Sequence, residues 1–182
     1  MKRHEIVTKL ARRLANPKRA NYMGNNAALR RMNLAEPGYA AVIALSALVE
    51  EAPELDLERI PAEHIDCWLL TMHMLALARW RHDRAHSLGE GLVAMMLSQN
   101  RLKQLLSADY DVLCELLPRI TRRFATVTSP AAMDFMPLIE LIFAARANAE
   151  QLHQVRLKIA RSYTLAEYRQ TQQSPIQSRN AS

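Results

Sequence analysis

Apolar residues recur along the chain at intervals of three and four, and no stretch alternates apolar and polar positions for long enough to make a strand. A first helix is predicted over residues 3–15, with Ile6, Leu10 and Leu14 on one face. It should stop before Asn16-Pro17, because Pro17 disfavours helical backbone in the residue before it. Residues 16–25, which include Pro17, Asn21, Gly24 and Asn25, read as a loop. A short helix at 26–33 would turn Leu29 and Met32 inward and Arg30 and Arg31 outward. Pro37 suits the first turn of the next helix, whose expected apolar stripe is Val42, Leu45 and Val49. Glu50 to Arg59, interrupted by Pro53, is an acidic connection.

Pro61 opens a further helix in which Ile65, Leu69, Met72 and Ala76 repeat at core spacing, flanked by Trp68 and Trp80. Ser87-Leu88-Gly89-Glu90 fits a capping box, so a helix is expected from Leu88 to about Ser98. Leu102, Leu105 and Leu106 form another amphipathic turn or two. Asp109 caps a segment from Tyr110 that Pro118, lacking an amide donor, should end or kink. Ser129-Pro130 suggests a cap and first-turn proline for a helix holding Phe135, Leu138, Ile139 and Ile142. The last helix carries Leu152, Val155, Ile159 and Tyr163. The expected fold is all-α, a helical bundle of about seven to nine helices in two small subdomains, 1–86 and 87–170. A polar, disordered tail is expected at 171–182.

Composition is consistent with this picture. The 182 residues are 49% apolar, which excludes wholesale disorder. The longest apolar run, Cys67 to Trp80, falls short of the roughly 20 residues that span a bilayer. The N-terminus lacks the apolar stretch of a signal peptide. Cys67 and Cys114 sit in apolar helical patterns and read as two buried thiols in a reducing cytosol.

Charge changes the picture more. The net charge is +6, which points to a polyanionic partner. Residues 1–31 carry nine Lys/Arg against Glu5, and 32–66 carry eight acids against Arg59. Such blocks suggest one basic and one acidic surface. Four basic groups stand out: Arg30-Arg31; Arg101 and Lys103; Arg119, Arg122 and Arg123, whose spacing makes one cationic ridge; and Arg156, Lys158 and Arg161 on the last helix. Guanidinium forks suit phosphate oxygens. With only 5% aromatics, backbone tracking by charge is favoured over a base-stacking platform.

Signals for catalysis are weaker. His82-Asp83-Arg84-Ala85-His86 would put two histidines on one helix face, as zinc ligands are, and its His-Asp pair is similar to that of metal-dependent phosphohydrolases, but further ligands are not evident and the segment reads as a loop. His73 reads as a satisfied core histidine, and His64 and His153 as surface residues. Glu50-Glu51 and the Asp109/Asp111 pair are explained by helix ends and turns. There is no phosphate-binding Gly-rich loop, no nucleophile elbow and no CxxC pair. The expectation is of no enzyme, no metal and no cofactor. A helical DNA-binding transcription regulator, a helical metal-dependent phosphohydrolase and a protein-only assembly adaptor are the rival readings.

Five segments, in order, resemble the CasB family, the small subunit of the type I-E CRISPR Cascade surveillance complex. Ala27-Ala28-Leu29-Arg30-Arg31-Met32, followed by Glu36-Pro37, is similar to the family's Ala-Leu-Arg-Arg segment and acid-Pro pair. Ser87-Leu88-Gly89-Glu90-Gly91-Leu92 resembles its Leu-Gly-x-x-Leu motif. The stretch Gln99 to Asp109 resembles its Arg-x-x-x-Leu-Leu-x-Ala-Asp helix. Met133-Asp134-Phe135-Met136-Pro137-Leu138 is similar to its Asp-Trp-x-x-Leu motif, with phenylalanine for tryptophan. Val155 to Tyr163 resembles the C-terminal helix. The resemblance spans about residues 25–165 and implies a noncatalytic, all-helical, cytoplasmic protein. Two copies would lie head to tail along the complex, touching the guide RNA, the target DNA with its displaced strand, and the backbone and large subunits. The nucleic-acid contacts would fall to Arg30, Arg31, Arg101, Lys103, Arg119, Arg122, Arg123, Arg156 and Arg161, to which the charge pattern adds Lys158.

Overall fold

A computed structural model describes residues 2–19 and 21–173. Among them are nine α-helices: α1 (Arg3–Ala15), α2 (Tyr22–Arg30), α3 (Gly38–Glu51), α4 (Ala62–Leu77), α5 (Leu88–Ala94), α6 (Gln99–Ser107), α7 (Tyr110–Phe124), α8 (Met136–Ala147) and α9 (Ala149–Gln173). The fold is all-α. A single parallel bridge, His82 to Met133, is the one strand-like pairing among the described residues.

Local chemistry places most helix ends. Ser87 Oγ accepts the Glu90 amide at 3.2 Å while Glu90 reaches back to the Ser87 amide, so α5 begins on the capping box. Ser98 and Asp109 cap α6 and α7 through the Arg101 and Val112 amides. Asn148 starts α9 by accepting the Gln151 amide at 2.8 Å.

Every residue from Cys67 to Leu77 is buried, so α4 is the central helix, and it packs against α2, α3, α7 and α8. A helix buried on all sides must meet neighbours on all sides. α9 closes the other flank by packing along α5, α6 and α8. One cluster of buried side chains runs from Ile6 through Leu70, Leu105 and Phe124 to Tyr163. α5 meets α9 closely: a methyl group on Gly89 would collide with the Ser162 carbonyl, and one on Gly91 with the Met133 side chain.

Several expectations are corrected. α2 starts at Tyr22, inside the expected loop, because Asn21 takes a left-handed conformation that turns the chain into the helix. In α3 the expected stripe is displaced: Val42 and Val49 are exposed, and Ile43, Ala44, Ala47 and Leu48 are buried instead. That helix is apolar almost all round, so spacing alone could not select its inner face. α5 ends at Ala94, since Met96 adopts φ +52 and Ser98 starts a new helix. α7 continues through Pro118, which is buried, to Phe124. Residues 129–135 are not helical, and α8 starts at Met136 with Pro137 in its first turn. α9 runs three residues into the expected tail, of which 174–182 lie outside the described residues.

The loop from Ala125 to Ala131 is held by Arg81. Its guanidinium donates to the carbonyls of Ala131, Val127 (2.9 Å) and Pro130 (2.8 Å) and lies 4.7 Å from the centre of the Phe124 ring. One side chain thus satisfies carbonyls that no helix pairs.

Candidate nucleic-acid interface

Basic side chains of α6 and α7 converge on one groove. Leu97, Leu116 and Ile120 floor a groove of about 270 Å³ whose polar lining is Arg101, Gln104, Arg119 and Arg123. α6 supplies Arg101 and Gln104 one turn apart, and the last turns of α7 supply Arg119 and Arg123. Arg123 donates to the Met96 carbonyl at 3.4 Å, which anchors its head at the rim. Arg119 pairs with Glu115 at 3.3 Å, but both side chains are about 70% exposed, at 69% and 71%. An exposed pair of this kind is worth little and yields readily to a phosphate.

Arg122 follows on the other side of Arg119. Its charge reaches His73, and the His73 ring donates to the Leu29 carbonyl at 2.7 Å, one residue before Arg30. α4, which carries His73, packs against both α7 and α2. Arg30 and Arg31 are exposed at the end of α2, and Arg30 also wraps back to the Asn26 carbonyl at 3.2 Å. Among the described residues, Arg31, Arg101, Lys103, Arg122 and Arg161 have no ion-pair partner.

The remaining candidates separate from this surface. Lys103 is exposed on α6 but stands two residues from Arg101, so it points away from the groove. Arg156 is half-buried and donates to the Ala108 carbonyl at 2.9 Å, fastening α9 to the α6–α7 turn. Lys158 pairs with Glu140 of α8 at 2.8 Å. Arg161 lines a separate shallow groove with Ser87, Ser162 and Arg169. The basic face of α9 is thus partly spent on packing, which its spacing did not reveal.

The charge blocks also meet inside the fold. Arg13 and Arg19 of the basic N-terminal block clasp Glu50 and Glu51 of the acidic one: Arg13 bonds Glu50 and lies 3.1 Å from Glu51, and Arg19 is 3.1 Å from Glu50. The hydrogen bond from Arg13 holds the Glu50 carboxyl below its ordinary range. The two expected surfaces are therefore not fully segregated.

The histidine motif serves the fold. Residues 81–87 are not helical, so His82 and His86 do not share a helix face. His82 Nδ1 accepts the Phe135 amide at 3.2 Å, and Asp83 lies 3.5 Å from His86. Among the described residues no three His, Cys, Asp or Glu side chains are grouped to hold a metal ion. His73 is the satisfied core histidine expected, and burial pushes its pKa down. Cys67 is buried and its thiol pushed up to about 12, whereas Cys114 is only half-buried, short of the expected burial. Neither is a thiolate at neutral pH.

Residues 25–163 match the family model described as CRISPR-associated protein Cse2. Among solved structures, the crystal structure of CasB from Thermus thermophilus superposes with a TM-score of 0.67 and 27% sequence identity, covering 91% of this chain and 100% of that one. No curated protein matches the chain significantly.

Proposed function

Because the chain belongs to the CRISPR-associated Cse2 family, the small subunits of the type I-E Cascade complex, we propose that it grips nucleic-acid backbone through the surface running from the α6–α7 groove to the end of α2. The observation that carries this reading is the sharing of one groove by Arg101, Arg119 and Arg123, with Arg122 beside them and, among the described residues, no buried carboxylate to neutralise them. Arg30 and Arg31 extend the track, and Arg161 offers a separate contact. Arg156 and Lys158 act mainly in holding α9.

The ligands in this reading are the guide RNA and the target DNA, including the displaced strand, and the role is noncatalytic. Exchange of a DNA duplex for a guide–target duplex is nearly balanced in free energy. A few backbone contacts to the displaced strand then decide whether the opened state persists. Such contacts are indifferent to sequence, since phosphates carry no base identity. Other Cascade subunits and a second copy of the chain are the protein partners, and no described helix is long and apolar enough to cross a membrane.

The test is a salt-titrated band shift on an unstructured single strand, comparing the wild type with Arg119→Glu/Arg122→Glu/Arg123→Glu. Each phosphate contact contributes roughly 0.7 to the slope of log affinity against log salt. The triple variant should bind more weakly on every sequence, with a slope shallower by about 2. Unchanged affinity and slope would remove the ridge from the interface.

A further inference from the structure

A larger groove, of about 710 Å³, lies between α1 and the turn that follows α4. None of its side chains belongs to the surface described above, and its α1 wall precedes the stretch matched by the family model. Lys9, Arg12 and Arg84 line it, all three exposed and none with an ion-pair partner among the described residues. Trp80 lines it too. That residue is half-buried, and φ +61 at Trp80 and +53 at Arg79 make two successive left-handed residues. A bulky residue adopts that conformation at a cost, so the surrounding contacts hold the ring there.

The third feature is His82. Its side chain is only 1% exposed, and it lines the same groove. Nδ1 accepts the Phe135 amide and lies 3.9 Å from the Asp134 carboxylate, so the ring is a fixed part of the groove wall, with Nε2 sealed inside it.

We propose that this groove is a second nucleic-acid site, in which one base of a single strand stacks on Trp80 and the flanking phosphates lie on Lys9, Arg12 and Arg84. Two carboxylates also line the groove: Glu5 already accepts the Lys2 amide at 3.0 Å, and Asp83 accepts the Ala85 amide at 2.9 Å. Their spare lone pairs suit the N–H groups of a base edge. A polynucleotide carries a flat base beside every phosphate, whereas a run of acidic residues carries no ring to stack on Trp80, so a polynucleotide fits better.

The site is independent of the α7 ridge, and one titration separates the two. A labelled, unstructured single-stranded oligonucleotide reports binding by anisotropy, and tryptophan emission reports Trp80, because Trp68 is buried in the core. Saturation should quench emission in the wild type and in the triple ridge variant, and leave it unchanged in Trp80→Phe. Lys9→Glu/Arg12→Glu, on the exposed face of α1, should weaken the affinity read from quenching by roughly tenfold while the protein keeps its melting temperature. Anisotropy that rises without any quenching overturns the groove and leaves the ridge. No rise at all overturns both. An equal quench by poly-glutamate overturns the assignment in favour of an acidic peptide.

Discussion

The amide of Gly89 donates to Ser162 Oγ at 2.9 Å, so the first turn of α5 rests on the backbone of α9. No side chain fits between them, since a Cβ at Gly89 would meet the Ser162 carbonyl. Gly89→Ala should therefore destabilise the protein by about 1–3 kcal/mol, the usual range for overpacking a tight contact. Gly24→Ala, where only the flexible Asn21 side chain intervenes, should be close to neutral. Urea unfolding of the two variants checks the contrast; equal effects would deny the crossing its tightness.

Arg81 is the second structural keystone. Arg81→Ala strips donors from the Val127 and Pro130 carbonyls and removes the cation from the Phe124 ring. A loss of about 2–3 kcal/mol is expected. Amide exchange should rise first between residues 125 and 133, and exchange unchanged there would contradict the role.

Arg156 and Arg161 differ by five residues on α9 yet should respond oppositely to mutation. Arg156→Ala removes the hydrogen bond to the Ala108 carbonyl and should cost about 1–2 kcal/mol of stability without altering the salt slope of nucleic-acid binding. Arg161→Ala should leave stability within about 0.5 kcal/mol, because the side chain is exposed and unpaired. Melting curves beside salt titrations separate the two.

Acid should unfold the protein in two stages. Burial depresses the pKa of His73 and of His82 below the ordinary 6.5. A depressed histidine contributes stability that is fully present above 6.5 and is lost as pH falls through the lower folded value. Glu50, held below its ordinary 4.5 by Arg13, contributes stability present above 4.5 and lost at still lower pH. Urea midpoints measured from about pH 7.5 downward should fall first below 6.5, and His73→Gln, which keeps a donor for Leu29, should flatten that first stage. A flat profile down to pH 4.5 would refute it.

Much of this was legible in the chain because it is local chemistry. Ser87 with Glu90, and Asp109 before Tyr110, announce helix starts within four residues, and both caps form. The Arg119, Arg122 and Arg123 spacing likewise states one ridge on one helix. Face selection was not legible in α3, where nearly every position is apolar, and neither was the passage of α7 through Pro118. Lys9 and Arg12 share a turn of α1, but Trp80 and Arg84 lie far along the chain from them, so no local pattern could mark their groove.

An all-helical chain with excess positive charge follows from periodicity, caps and composition, each a property of neighbours along the backbone. Which cations remain available to a ligand is a different question. Arg13 lost its freedom to Glu50, Arg156 to the Ala108 carbonyl and Lys158 to Glu140, whereas Arg101 gained Arg119 and Arg123 as groove-mates. Helix packing brought those groups within reach of each other across tens of residues, and Coulomb and hydrogen-bond energies fall off too quickly for anything but that proximity to sort them.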